Sequence, residues 1–168
     1  MNKSRVMNDA PDKLRLDDQL CFALYAATNA VTRAYRAGLG SIGLTYPQYL
    51  VMLVLWQDGE CSSSEIARRL CLGANAVSPL LDRLERSGFV LRRRDERDRR
   101  VVRVHLTDAG AALESAAAEA QRSVVCETGL PPEALVALRE ELKELASRMA
   151  PDAAAAEDHR DTTMEEVR

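Results

Sequence analysis

Apolar residues recur at steps of three and four near both ends of the chain, which is the spacing of amphipathic helices. The N-terminal set falls within about 40° of one direction on a helical wheel: Leu16, Leu20, Leu24, Ala27 and Val31. The C-terminal set follows Pro131 and Pro132 and predicts a helix seam: Leu135, Leu138, Leu142, Leu145 and Met149. Between them, the alanine- and glutamate-rich stretch 107–127 predicts another long helix. A single domain has limited surface to cover these helices, so we infer that they pair across a homodimer rather than cap their own domain.

The middle of the chain carries shorter helical segments with N-terminal signals. Thr45 and Gln48 have capping-box spacing, and Ser62 and Glu65 repeat it. The segment 75–87 follows Gly73 and predicts a helix with four inward-facing residues: Val77, Leu80, Leu81 and Leu84. Two short helices separated by about four residues have the spacing of a helix-turn-helix.

The second of these short helices contains a proline, and two start points remain open. If Asn75 is the N-cap, Pro79 lies at the edge of the first turn and costs little. If the helix starts at Gly73, a kink is expected at Pro79.

After Gly88 the apolar period changes from helical to alternating, in "FVLRRR" and "RVVRVHL". The charged stretch "DERD" lies between them, so we predict a β-hairpin. The predicted fold is therefore mostly α with a small β-hairpin wing: a winged helix-turn-helix with N- and C-terminal helices forming a homodimer interface.

Positive charge is concentrated on this predicted wing, although the net charge of the chain is −3. Residues 83–103 contain nine arginines and four acids, a local charge of +5. DNA is a dense line of phosphates, and arginines bind it largely by displacing counterions. The candidate DNA-binding residues lie outside the predicted core, on the second helix and the hairpin: Asn75, Ala76, Ser78, Arg83, Arg86, Arg93, Asp95, Arg97 and Arg99.

Other functional classes find less support. No apolar run reaches the roughly 20 residues of a membrane helix, and residues 1–20 do not resemble a secretory signal, so we expect a cytoplasmic protein without a membrane partner. The chain has four cysteines but no C-x-x-C pair, and His105 and His159 lack ligand spacing, so we predict no metal and no cofactor. We interpret Cys61 and Cys71 as small buried hydrophobic residues.

The stretch "DERDRRVVRVHLTDAG", residues 95–110, together with the order of elements, resembles the MarR family of dimeric winged-helix regulators. The resemblance extends from about residue 14 to residue 149. It implies double-stranded DNA with a palindromic operator as the partner, Arg97 as the wing-tip residue that enters the minor groove, and Asp95 as a residue that helps hold the wing's shape.

Two further stretches, "LDDQLCFALYAATNAVTRAYR" and "LTYPQYLVMLVLW", resemble the branch of this family that senses organic hydroperoxides. The resemblance implies that Cys21 is the redox-sensing residue and that Cys126 is the resolving cysteine of a two-cysteine member. It also implies tyrosines that hydrogen-bond the sensing thiol: Tyr25, Tyr35 and Tyr46. Residues 73 and 74, glycine and alanine here, are usually aspartate and serine in that branch, so operator preference is expected to differ.

The chemistry of a peroxide sensor agrees with these assignments, because peroxides react with thiolate rather than thiol. Phenol hydroxyls donating to sulfur would favour the thiolate, and so would the positive end of a helix if Asp17 is its N-cap. Tyr35 is fourteen residues beyond Cys21, about 21 Å along a straight helix, so it could reach only the Cys21 of a partner chain. Oxidation to a sulfenic acid and condensation with Cys126 would then release DNA.

Two alternatives assign a different signal for DNA release or a different function to Cys21. The same fold could release DNA on binding a phenolic or lipophilic ligand, or Cys21 could be the nucleophile of a thiol peroxidase.

The sequence divides into five parts: an N-terminal arm (1–15), a dimerisation and sensor helix (16–44), a winged DNA-binding region (45–106), C-terminal dimerisation helices (107–150) and a flexible acidic tail (151–168).

Overall fold

The computed structural model describes residues 14–150, which form six α-helices and a small antiparallel sheet. A 3₁₀ turn at Leu16–Asp18 comes first. The helices are α1 (Leu20–Ser41), α2 (Tyr46–Asp58), α3 (Ser63–Arg69), α4 (Ala74–Arg86), α5 (Asp108–Glu127) and α6 (Pro132–Met149), and the strands are β1 (Cys61–Ser62), β2 (Val90–Arg94) and β3 (Val102–Leu106). The predicted mostly helical fold with a β-hairpin wing is confirmed. Most of the predicted N-terminal arm and the whole predicted acidic tail lie outside the described residues.

The chain divides after Glu127 into two compact units, so α6 belongs to a different unit from the other elements. No single helix within residues 14–150 has the length and apolarity to cross a membrane, and the one pair that passes together, α1 with α2, is bent by 74°.

Both predicted capping boxes are present. The Thr45 backbone N–H donates to Gln48 Oε1 at 2.8 Å at the start of α2. At the start of α3, the Ser62 N–H donates to Glu65 Oε2 at 2.6 Å, and the Glu65 N–H donates to Ser62 Oγ at 3.1 Å. Gln48 and Ser62 are buried polar residues, and these bonds satisfy them while fixing where the two helices begin.

The structure also decides where two other helices begin. Asp17 is not the N-cap of α1, because residues 16–18 form their own 3₁₀ turn, in which the Gln19 N–H donates to the Leu16 carbonyl. Gln19 is the N-cap, and Cys21 is therefore the second residue of α1. Of the two start points left open for α4, the structure has the one at Gly73: extended Gly73 is the N-cap rather than Asn75, and Pro79 lies inside the helix.

The sheet has three strands in the order β1-β3-β2, one more than the predicted hairpin. The wing is the β2–β3 pair, in register from Val90 opposite Leu106 to Arg94 opposite Val102. The short β1 pairs with β3 through Cys61 opposite Val104. This third strand ties the start of α3 to the base of the wing.

The "LTDAG" part of the motif joins the wing to α5. Thr107 Oγ1 donates to the Gly88 carbonyl at 2.6 Å and accepts from the Gly110 N–H at 3.0 Å. The Trp56 indole N–H donates to the Gly110 carbonyl at 3.1 Å. A Cβ on Gly110 would stand 2.0 Å from the Phe89 carbonyl oxygen. Only glycine therefore fits at this close contact.

α1 and α5 pack directly against each other through small residues. A Cβ built on Gly38 would lie 2.7 Å from the Cβ of Ala120. Around this contact lies part of the apolar core: Tyr35, Leu39, Ala117 and Val124. α1 is more exposed before this contact, with Leu20 at 60% and Val31 at 36%. The last two turns of α1 thus pack within their own chain, whereas much of the N-terminal apolar set identified from the sequence does not.

Candidate DNA-binding surface and redox site

The helix α4 separates its buried and exposed residues cleanly. Val77, Leu81 and Leu84 are buried in the core. The five residues predicted to contact DNA are all exposed and span about 160° of the opposite side at 100° per residue: Asn75, Ala76, Ser78, Arg83 and Arg86. Asn and Arg can read adenine and guanine edges in the major groove. The second helix of the helix-turn-helix therefore offers a polar, basic side for such contacts.

Asp95 organises the tip of the wing. Its Oδ1 accepts from the backbone N–H groups of Arg97 at 2.8 Å and Asp98 at 3.2 Å, and its Oδ2 accepts from Arg103 Nε at 3.0 Å. These hydrogen bonds, led by the one from the Arg97 N–H, lower the pKa of Asp95 to about 2. The Asp95 N–H also donates to the Val101 carbonyl at 2.9 Å. Asp95 thus shapes the turn, and the Arg97 side chain stands exposed.

The arginines of the basic segment fall into two groups. Arg92, Arg100 and Arg103 form ion pairs with nearby carboxylates. The other six are exposed and form no ion pair with any residue between 14 and 150: Arg83, Arg86, Arg93, Arg94, Arg97 and Arg99. Arg86 and Arg94 donate only to backbone carbonyls, those of Asp82 and Arg99. The positive charge available to phosphates therefore includes all five arginines that the sequence predicted.

Cys21 and Cys126 are both exposed, free thiols. Cys21 lies in the first turn of α1, and Cys126 lies next to the last residue of α5. Gly38 contacts Ala120, Cys21 is about 25 Å from Gly38 along α1, and Cys126 is only about 9 Å from Ala120. The two Cα atoms of one chain are therefore at least roughly 10 Å apart, beyond the reach of a disulfide.

The tyrosines predicted to hydrogen-bond the thiol separate into two places. Tyr25 is 66% exposed near Cys21 in sequence, whereas Tyr35 is buried. Tyr35 lies on the same unbroken helix as Cys21, with its ring 5.4 Å from that of Tyr46 and 5.2 Å from that of Tyr49. The chain alone thus brings Tyr35 and Tyr46 together but leaves Cys21 and Tyr25 apart from them.

Tyr49 completes this aromatic cluster and was missed by the sequence analysis. It is 3% exposed, and burial, with the neighbouring Tyr35 next, raises its pKa. Burial also raises the pKa of Tyr46. Tyr49 stands in the apolar run "YLVMLVLW", where nothing in the local pattern distinguishes it from a core residue.

The remaining cysteines differ from each other. Cys61 is buried as predicted, and burial raises the pKa of its thiol. Cys71 is exposed, so the prediction that it is buried is wrong. It follows α3 with φ of 54°, in the left-handed conformation that ends a helix. That position turns the chain into the helix-turn-helix loop and keeps its side chain out of the core.

A helix-turn-helix followed by an arginine-bearing β-hairpin defines a winged-helix DNA-binding protein. Residues 44–102 match the model of the MarR family. The chain belongs to the MarR family and is a DNA-binding transcriptional regulator.

Similar proteins are named as transcriptional regulators. The chain is 34% identical to the organic hydroperoxide resistance transcriptional regulator of Bacillus subtilis (strain 168), over 85% of this chain and 92% of that protein. It is 54% identical to the HTH-type transcriptional regulator TtmR of Methylorubrum extorquens (strain PA1) over 61% of this chain, but this match spans only 52% of TtmR.

The fold is also similar to solved structures of AbfR in three oxidation states. Reduced AbfR bound to DNA matches with a TM-score of 0.68 and 36% identity, over 80% of this chain and 94% of that one. Overoxidized AbfR bound to DNA gives 0.67 and 36%, over 81% and 96%. Disulfide-formed AbfR gives 0.56 and 35%, over 80% and 88%.

Proposed function

We propose that this chain is a homodimeric repressor that senses organic hydroperoxides through Cys21 and releases a palindromic operator when Cys21 forms a disulfide with Cys126 of the partner subunit. The observation that carries the proposal is the placement of two exposed thiols at the ends of the packed helices α1 and α5. The function also places the protein in the cytoplasm, where its DNA target lies.

Exposed apolar residues on two helices support dimerisation. On α1, Leu20 is 60% exposed and Val31 is 36% exposed. On α6, the exposed apolar residues are Val136, Leu138, Leu142 and Met149. Such faces are stabilised by burial against another chain. A twofold dimer presents two copies of α4 and two wings, which suits a palindrome.

The separation of the thiols within one chain supports a bond between subunits. Since Cys21 and Cys126 of one chain lie at least roughly 10 Å apart, a disulfide within that chain would need α1 or α5 to break. A partner whose α1 crosses this chain's α5 needs only a rearrangement of packed helices.

The proposed chemistry has two steps. The Cys21 thiolate attacks the outer oxygen of the hydroperoxide, the O–O bond breaks, and the alkoxide takes a proton to leave as an alcohol, which gives a sulfenic acid. The partner's Cys126 thiolate then attacks the Cys21 sulfur, the S–O bond breaks as the disulfide forms, and the departing hydroxide takes a proton to leave as water. Phe22 and Leu24 flank Cys21 and are only partly exposed, an apolar setting that favours an alkyl hydroperoxide over hydrogen peroxide.

The names of similar proteins support oxidation as the signal for DNA release. The Bacillus subtilis relative is named for organic hydroperoxide resistance. AbfR has been solved reduced on DNA, overoxidized on DNA, and with a disulfide formed. For this chain we therefore assign DNA release to the disulfide rather than to oxidation of one thiol alone.

The test is operator binding with and without cumene hydroperoxide, followed by non-reducing electrophoresis. Wild type should lose DNA and run as a covalent dimer. Cys21→Ser should stay on DNA without crosslinking, and Cys126→Ser should form a sulfenic acid but no crosslink and also stay on DNA. Cys71→Ser, which removes the other exposed thiol, should respond like wild type. Release of DNA from Cys21→Ser by peroxide would refute the assignment.

One cavity favours the ligand-triggered alternative. It has a volume of about 340 Å³ between α2 and α5 and is lined by residues that include Tyr49, Leu53, Trp56 and Ala117. Release of DNA by an aromatic acid under full reduction would support that alternative. A peroxidase, by contrast, would turn over peroxide steadily with a reductant, and the exposed wing arginines would have no use in that reaction.

A further inference from the structure

Arg92 links the wing to the helix α4 through both its main chain and its side chain. The Arg92 backbone N–H donates to Glu85 Oε1 at 3.0 Å, and its Nε donates to Glu85 Oε2 at 2.8 Å. Its Nη2 also lies 2.7 Å from Asp82 Oδ1 and 2.7 Å from Glu85 Oε2. One strand residue is thereby held by two carboxylates one turn apart on α4.

We propose that Arg92 is a positioning residue for DNA recognition: it fixes the wing relative to α4 so that both reach the same half-site. Arg92 itself does not supply charge to DNA, because its guanidinium is taken up by Asp82 and Glu85. This role separates it from the neighbouring Arg93, which is exposed and forms no ion pair with any residue between 14 and 150.

The position of Arg92 makes it effective as an anchor. It is central in β2 and pairs with Val104 of β3, so a movement of β2 carries both strands. Arg97 lies five residues farther along, in the turn beyond Arg94, so it is at most about 16 Å away at 3.3 Å per residue. A rotation of about 10° at Arg92 would therefore move the tip by up to roughly 3 Å, enough to break a hydrogen bond to DNA.

The same contacts set the charge of the DNA-facing side of α4. Hydrogen bonds from the Arg92 side chain and then its backbone lower the pKa of Glu85, so the carboxylate is kept ionised and paired. Without Arg92, Asp82 and Glu85 would lose this partner on the helix that also carries Arg83 and Arg86. Loss of Arg92 thus has two separable consequences, a free wing and unpaired acids.

The experiment compares Arg92→Gln with the matched neighbour Arg93→Gln. The probe is a duplex selected from a randomised DNA pool by the reduced wild-type protein. Affinity is measured across salt concentrations, and contacts are mapped by hydroxyl-radical footprinting in the minor groove and methylation protection in the major groove. Arg93→Gln should weaken binding and reduce the salt slope by about one phosphate contact, with all footprints retained.

Arg92→Gln should weaken binding by on the order of tenfold or more and lose the minor-groove footprint, while major-groove protection by α4 remains. Arg92→Lys should fall between it and wild type, because an ammonium cannot copy the fork of a guanidinium. The triple variant Asp82→Asn, Glu85→Gln, Arg92→Gln removes the unpaired acids and should remain weak. Glu85→Gln alone should show the same selective footprint loss in milder form.

Two outcomes would overturn the proposal. If Arg92→Gln retains the minor-groove footprint and only reduces the salt slope, Arg92 contacts a phosphate directly. If the triple variant recovers wild-type affinity, the role of Arg92 is charge compensation alone. Should Arg92→Gln fail to fold, the footprints of Arg92→Lys and Glu85→Gln decide the question in the same way. Failure of wild type to select any duplex would overturn this role together with DNA recognition itself.

Discussion

Replacing either of two glycines in α1 by alanine tests how tightly α1 packs against α5, through the change in the free energy of unfolding. Gly38 and Gly40 are both helical, but only Gly38 meets a neighbour: its added Cβ would lie 2.7 Å from Ala120 Cβ, whereas nothing lies within 4 Å of a Cβ on Gly40. Ordinary contact between carbon atoms is about 3.5–4.0 Å. Gly38→Ala therefore requires the helices to separate by about 1 Å, and overpacking of this kind costs about 1–3 kcal/mol.

Helix propensity acts in the opposite direction in both variants. Replacing a helical glycine by alanine gains up to about 1 kcal/mol, so Gly40→Ala should be as stable as wild type or more stable. The free energy of unfolding of Gly38→Ala should then lie about 1–3 kcal/mol below that of Gly40→Ala. The measurement is urea unfolding followed by circular dichroism at one protein concentration, because subunit association shifts apparent stability. Equal stability of the two variants would show that the contact with Ala120 imposes no packing constraint.

Three further predictions concern the wing and the aromatic cluster. Asp95→Ala should weaken DNA binding although it removes a negative charge, because the turn that presents Arg97 is lost. Glu96→Ala, at the exposed neighbour, should instead strengthen binding at low salt. Tighter DNA binding by both variants in a fluorescence-anisotropy assay would contradict the structural role of Asp95. The pKa of Asp95 is about 2 against an ordinary 3.8, so the contribution of this carboxylate to wing stability should be complete above pH 3.8 and lost as the pH falls through 2. An NMR titration in which Asp95 has its midpoint at the ordinary value would disprove this. Tyr49→Phe removes the hydroxyl next to Tyr35 and should slow oxidation of Cys21 by cumene hydroperoxide without changing the DNA affinity of the reduced protein. Unchanged oxidation kinetics would show that Tyr49 takes no part in sensing.

The helices could be predicted from sequence because their signals are local. The capping boxes at Thr45 and Ser62 depend on residues three positions apart, and both are present. β1 was missed because two residues carry no periodicity, and it exists only because β3 pairs with it. The start of α1 was misplaced because Asp17 is a good N-cap residue in isolation, while the chain forms a 3₁₀ turn there.

The candidate site was only partly predictable, for a different reason. Counting arginines located the basic segment, but it could not show that Arg92 and Arg103 are held by carboxylates while Arg97 is not. Those pairs join residues seven or eight positions apart on different elements. Cys71 illustrates the same limit, since its exposure follows from a left-handed backbone at the end of α3 rather than from residue type.

The proposed switch depends on α5 as a rigid helix that links Cys126 to the DNA-binding region. At 20 residues it is about 30 Å long, and its start is bonded to the wing and to α2, through Thr107 and Gly110. Its middle packs on α1 at Ala120, and its end carries Cys126. Bringing the sulfur of Cys126 to a partner's thiol draws the Cα atoms to within about 7 Å, and a rigid helix passes such a displacement to its bonded start rather than absorbing it. Moving a protein from almost fully DNA-competent to almost fully incompetent takes about 5.5 kcal/mol. A covalent bond at one end of a helix, acting against a hydrogen-bonded joint at the other, is an arrangement that can supply that bias.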